Sequence, residues 1–247
     1  MAMPRWPLLL LALLPASAFG LDRTLPKEFL RYPFTVQSLS VGYPNAGFQV
    51  RAKLLRESPL LQIKAGSEAH AYGHPALVLM LGRTARQMDR AVPGSRMLVG
   101  DLSREHGGRL YGHFSHQSGR DADIGFYARD AQGKPVDLDR FVSFDGTGRA
   151  LNRSGLVFDD YRNWLLVQSL VRDERAGLSH IFVSRPLRAR LLRFAAGRAD
   201  FRPYVAEAAR LLKQPEHADP HDDHFHVRIA CPDGQLGPCK NESKRGH

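Results

Sequence analysis

PHDDHFHVRIAC, residues 220 to 231, alternates polar and apolar side chains from His224 to Ala230. Successive side chains of a strand point to opposite faces. His224, His226 and Arg228 therefore share one face, and Phe225, Val227 and Ile229 share the other. A strand with one wholly apolar face anchors it in a core and holds the opposite side chains on a rigid ledge. Two imidazoles two residues apart on that ledge address the same space.

The second stretch of this kind is GHFSHQSGRDADIGFY, Gly112 to Tyr127. Residues from Asp121 to Tyr127 read as a strand, with Ala122, Ile124 and Phe126 on one face and Asp121, Asp123, Gly125 and Tyr127 on the other. His116 precedes the turn Gln117, Ser118, Gly119, so the chain returns the Asp123 carboxylate beside the His116 imidazole. Adding one strand histidine gives two His and one Asp. That is a three-ligand set for catalytic zinc with the fourth position left to water, and a bound zinc acidifies water and polarises a carbonyl. Asp121 shares the face of Asp123 and is a candidate to orient a histidine from behind. Asp101 is a candidate brace. Arg120 and Arg228 are candidates for a substrate carboxylate, each read against a structural alternative: a turn cation for Arg120, a salt bridge within the sheet for Arg228. His106 reads as a surface loop histidine, with a place lining the groove as its alternative, and His74 as capping or packing the helix.

The rest of the chain supplies a scaffold of both element types. Residues 30–50 read as extended segments and loops, and Leu61 to Ile63 as a short strand. Pro75 opens a helix with apolar positions at Leu77, Met80, Leu81, Thr84, Ala85 and Met88, closed by Pro93 and Gly94. Met97 to Val99 is a strand candidate. A helix is expected from Phe158 to about Arg175 with Gly177 as its stop, a strand at Ile181 to Val183, a basic helix after Arg185, and a helix from about Tyr204 to Lys213. Strands interleaved with helices in this way predict an α+β fold.

Residues 1–20, MAMPRWPLLLLALLPASAFG, have the layout of a secretory leader: Arg5, an apolar run too short to span a bilayer, and the small-residue site Ala16, Ser17, Ala18. The mature chain, 21–247, then reads as a single domain with a short tail. Export removes the reducing cytosol, so Cys231 and Cys239 are expected to close a small disulfide loop. The formal net charge of +10, with 35 Lys+Arg against 25 Asp+Glu, favours polyanionic partners. The arginines are scattered rather than set among aromatics, which argues against nucleic acid. For an exported protein the anion is expected to be cell wall, cell surface or matrix.

The two histidine stretches resemble one known family. HxxxxxxD followed by HxH is the metal signature of the LAS peptidases. GHFSHQSGRDADI and HDDHFHVRIAC are closest to the corresponding segments of its penicillin-insensitive murein endopeptidase branch, and YGHPALV (72–78) and the segment around Val99 to Asp101 are also similar. The resemblance runs from about Ser38 to Cys231. It implies a small antiparallel sheet core carrying one catalytic zinc, with helices and long loops around it. It implies a periplasmic enzyme that cleaves the D-alanyl–meso-diaminopimelyl crosslinks between peptidoglycan stem peptides. Carried onto this chain, His116, Asp123 and His226 match the zinc ligands, His224 the general base, and His113 and His221 two further active-site histidines. The tail departs from the family, which carries more cysteines and a longer C-terminal stretch. A D,D-carboxypeptidase or dipeptidase is the rival enzyme; its usual glutamate base near the last zinc histidine has no counterpart between Glu216 and Glu242. A peptidoglycan-binding protein without activity is the second rival.

Overall fold

A computed structural model describes residues 37–215, 219–235 and 237–244. The expected export leader, 1–20, lies outside the described residues. In chain order, β1 (Leu39–Tyr43) and β2 (Ala46–Val50) form an antiparallel hairpin, followed by β3 (Lys53–Leu54), β4 (Leu61–Ile63) and β5 (Tyr72–Gly73), which pairs back on β3. Then come α1 (Pro75–Ala91), β6 (Met97–Val99) and, after a long loop, β7 (Asp121–Gly125). The short strands β8 (Ala128–Arg129), β9 (Pro135–Val136) and β10 (Val157–Phe158) punctuate an irregular stretch that leads to α2 (Asp160–Val171). β11 (Leu178–Phe182), α3 (Arg185–Ala196), α4 (Arg202–Leu211), β12 (Leu212–Lys213) and β13 (His224–Ile229) follow.

The site is carried by a six-stranded sheet in the order β12, β11, β13, β7, β6, β4. The four central strands pair antiparallel, and the edge strands β12 and β4 pair parallel with their neighbours. The α+β class with an antiparallel centre is thus as the sequence implies, with parallel edges added. The inner face of β13, Phe225, Val227 and Ile229, and that of β7, Ala122 and Ile124, are fully buried with Trp164, Leu166, Val167 and Leu170 of α2 in one core. Burying an aliphatic or aromatic side chain of this size contributes about 1.5–3 kcal/mol, so this face pins the register of both strands. α1 adds Leu77, Met80, Leu81, Ala85 and Met88 to the same core. It starts where Pro75 predicts it, with the His74 imidazole accepting the Ala76 N–H.

Four boundaries differ from the pattern. α2 starts at Asp160 because the Asp159 carboxylate caps the N–H of Arg162. It ends at Val171, short of Arg175, because Asp173 takes the N–H groups of Arg175 and Ala176 while pairing with Arg83; Gly177 serves the next turn. β7 releases at Gly125, because Tyr127 gives its N–H and C=O to the Asn163 side chain instead of to a strand. Leu212 and Lys213 leave α4 to pair with β11.

Cys231 and Cys239 form the expected disulfide. The loop they close lays the tail against β1, where Gly42 donates to the Pro238 carbonyl and accepts from Lys240 N–H. Arg120, fully buried, donates to the Lys240 carbonyl at 2.7 Å and to Asn241 Oδ1 at 3.3 Å. Its guanidinium is therefore a clamp on the tail, and the reading of Arg120 as a binder of substrate carboxylate is corrected. Among the described residues no helix is long and apolar enough to cross a membrane.

Candidate metal centre

β7 and β13 are neighbours, and their register sets His226 opposite Asp123, Arg228 opposite Asp121 and His224 opposite Gly125. Directly opposed residues share a face with Cβ atoms about 5 Å apart. One cross-strand pairing thus brings the distant stretches 112–127 and 220–231 together. The segment before β7 turns back through His116, whose backbone φ is 65°. That left-handed conformation is uncommon outside glycine. It is held on both sides: the His116 carbonyl accepts from Ser103 Oγ at 2.6 Å, and His116 Nδ1 donates to the Leu102 carbonyl at 2.7 Å.

The same arrangement recurs around Asp123. His226 donates from Nε2 to Asp121 at 2.8 Å, and its Nδ1 lies 3.8 Å from Asp123 Oδ1. His113 donates from Nε2 to Asp101 at 3.0 Å, and its Nδ1 lies 3.8 Å from Asp123 Oδ2. His224 donates from Nδ1 to Asp223, and its Nε2 lies 3.4 Å from Asp123 Oδ1. His221 donates from Nδ1 to the Asp219 carbonyl at 3.1 Å, and its Nε2 lies 3.4 Å from His226 Nδ1. Each ring spends its outer N–H on an oxygen, which fixes its orientation and turns the other nitrogen inward.

Lone pairs converging on a carboxylate repel unless a proton or a cation sits among them. His116 Nε2 and Asp123 Oδ1 are 3.3 Å apart, a distance short enough for an ion pair, yet neither atom has a hydrogen-bond partner. Leaving such atoms buried and unpaired is costly. Ligand atoms of His113, His116 and Asp123 lie within 4.8 Å of one another. The His226 ring stands 4.5 Å from that of His116. Imidazole nitrogens and a carboxylate, with no thiolate, are the donor set of a catalytic zinc site. The residues fit a divalent cation.

Electrostatics divide the rings: burial opposes charge on His116, but Asp123 outweighs it and shifts that ring up. Burial pushes the Asp121 carboxyl up, but Arg228 and His226 outweigh it and hold it far below the carboxylate range. Burial likewise raises Asp123, and His116 and His224 pull it well below its ordinary value. Burial and the neighbouring His116 push His226 down to about 3, and burial with His224 pushes His221 down to about 4, so both rings are neutral near pH 7. Burial disfavours the charge on His224, but Asp123 and Asp223 push it up to about 10.

The structure gathers His113, His116, His221, His224, His226 and Asp123 at one place. Asp121 is the buried anchor of His226, and Arg228 makes the salt bridge within the sheet, to Asp121. His74 caps α1. His106 is exposed on the rim of a neighbouring cavity with His70 and Arg104. Sequence reasoning missed Asp223, whose partner is its own chain neighbour, and Phe141, whose ring stacks on His224 at 5.0 Å. Phe141 seats over Gly100 and Gly125, where an added Cβ would come within 2.5 Å and 3.1 Å of its ring. A glycine opposite a candidate base was the one available signal.

Compared with known proteins, residues 40–246 match the family model described as penicillin-insensitive murein endopeptidase. The chain is similar to the protein of that name from Haemophilus influenzae, 32% identical over 178 residues, 70% of this chain and 56% of the relative. It therefore spans little more than half of that relative's length. It is also similar to proteins of the same name from Escherichia coli, 28% identical over 229 residues, 92% of this chain and 78% of theirs.

Proposed function

The chain belongs to the penicillin-insensitive murein endopeptidase family, and on that premise we propose that it is a periplasmic, zinc-dependent endopeptidase cleaving D-alanyl–meso-diaminopimelyl crosslinks between peptidoglycan stem peptides. Residues 1–20 are its export leader and 21–247 its mature domain. The observation that carries this reading is the ring of inward-facing imidazole nitrogens around Asp123, with His116 Nε2 and Asp123 Oδ1 buried and unpaired. We assign the ligands as His116, Asp123 and His226. His226 is preferred over His113 because it sits on the central strand β13, while His113 rides an irregular loop and is partly exposed; rigid elements hold ligands more closely.

A zinc ion there would supply polarisation of the scissile carbonyl and an acidified water. His224 is the general base. Asp223 holds its Nδ1–H and Phe141 supports one face of the ring, so Nε2 is presented to the site. A cation sharing Asp123 would offset the largest attraction that holds a proton on His224, and so would leave that ring able to accept one. His113 and His221 flank the same space. Either stabilises the developing oxyanion once protonated on its inner nitrogen, which the resting neutral His221 must first take up a proton to do, and a proton returned to the departing amine completes cleavage. The basic surface suits an anionic wall polymer.

The test is digestion of purified sacculi and of crosslinked muropeptide dimers by the metal-loaded protein. The expected result is release of monomers, lost with a chelator and restored by zinc. Trimming of monomers alone, or undiminished cleavage after the metal is stripped, would refute the reading.

A further inference from the structure

Among the outer anchors, Asp101 stands apart. It is the one whose second oxygen holds another imidazole: Oδ2 accepts from His113 Nε2 at 3.0 Å and Oδ1 from His70 Nδ1 at 3.2 Å. It is also indexed to the ligand strand. The Asp101 carbonyl accepts the Asp123 N–H at 3.1 Å, and the Asp123 carbonyl accepts the Gly100 N–H at 2.8 Å. His70 is fixed in turn, because its carbonyl accepts from the N–H groups of Leu102 and Ser103 at 2.8 and 2.9 Å. The loop that carries His113 has no comparable support. Tyr111 and Phe114 on either side are 93% and 61% exposed.

We propose that His70 and Asp101 form a strut that positions His113, holding its ring in the Nε2–H tautomer with Nδ1 turned toward Asp123. Neither residue touches the reacting atoms. Asp101 acts through His113, and His70 acts through Asp101 from the rim of a cavity of about 460 Å³ shared with Arg104, Glu105 and His106. A carboxylate can take one N–H on each oxygen; an asparagine side chain offers one acceptor and one donor, so it can accept an N–H from only one of the two rings and the other must change tautomer. A glutamine at position 70 keeps an N–H donor for Asp101, whereas alanine keeps none.

The proposal rests on the peptidase reading for its consequence, but not for its measurement. Nitrogen chemical shifts of the His113 ring in the metal-free protein report the tautomer without any substrate. We expect Nε2 to read as protonated and Nδ1 as bare in the wild type, and that signature to be lost in Asp101→Asn. We expect kcat on crosslinked dimers to fall about 10- to 100-fold in Asp101→Asn with KM little changed, less in His70→Ala, and to recover in His70→Gln. A wild-type His113 protonated on Nδ1, or an Asp101→Asn protein with unchanged ring shifts and kcat, overturns the strut. If Asp101→Asn does not fold, the wild-type spectrum and the Ala-to-Gln contrast at His70 decide. A wild-type protein that shows the signature but cuts no wall peptide sinks the peptidase reading and leaves the strut standing.

Discussion

Replacing Asp121 by asparagine isolates what the buried carboxylate does for the site. Asp121 is fully buried and serves two donors at once, the neutral His226 Nε2–H at 2.8 Å and the Arg228 guanidinium. Asparagine keeps the shape and one acceptor oxygen but removes the charge and places an N–H₂ where the second oxygen stood. Both partners bond to the same oxygen, Oδ1, and Oδ2 is buried without a partner, so asparagine can keep both contacts only as weaker, uncharged ones and buries its N–H₂ unpaired. A neutral anchor holds the His226 tautomer less firmly and leaves Nδ1 a less basic ligand. Changes at such anchors weaken metal binding by about 10- to 100-fold, or about 1.4 to 2.8 kcal/mol. Asp121→Ala should do more, because it strands the Arg228 charge in the core at about 3–5 kcal/mol. The assay is zinc affinity by competition with a chromogenic chelator, beside thermal melting of the metal-free protein. Asp121→Asn is expected to bind zinc at least tenfold more weakly while melting as a folded protein. Zinc affinity within twofold of wild type would refute both the anchoring role and the choice of His226 as ligand.

Gly100→Ala places a methyl against the Phe141 ring; we expect about 1–3 kcal/mol of destabilisation by overpacking, seen as a lower melting temperature, and a drop in kcat as the stack on His224 is displaced. Burial raises Asp159 and Asp173, but hydrogen bonds from Arg129 and Arg162 to the first, and from Arg83 to the second, hold both below their ordinary values in the fold. Stability from these pairs is therefore present above the unfolded carboxyl value of about 3.9 and lost as pH falls through the folded ones. Urea midpoints should drop on that acid side, and Asp173→Asn should flatten part of the drop. Reducing the Cys231–Cys239 disulfide, or replacing both cysteines by serine, should cost roughly 2–3 kcal/mol by the loop-closure estimate, read as a lower unfolding midpoint.

Much of the scaffold is legible because its signals are periodic. α1 announces itself through Pro75 and a stripe of buried apolar residues, and β13 through strict alternation, so the faces of His224, His226 and Arg228 follow from the chain alone. The boundaries that escape are set by single side chains bonding to distant backbone: Asp173 ends α2, and Asn163 draws Tyr127 out of β7. Leu212 continues the apolar period of α4 and yet joins a parallel edge, a choice made by β11 and invisible locally. In the site, the histidines and Asp123 stand out by residue type and spacing. Their anchors do not: Asp223, His70 and Phe141 are lone residues whose roles exist only after folding, and Phe141 comes from a stretch without periodicity.

Shortening a protein usually begins at its last residues, on the view that chain ends tolerate change. Here that habit would reach the active centre. Arg120, the residue before Asp121, is buried and satisfied mainly by the Lys240 carbonyl and Asn241 Oδ1. Trimming back past Lys240 would leave a guanidinium sealed at the mouth of β7 with few acceptors. The same cut would free the Gly42 carbonyl from Lys240. A deletion that reaches Lys240 is therefore an edit to the floor beneath the ligands.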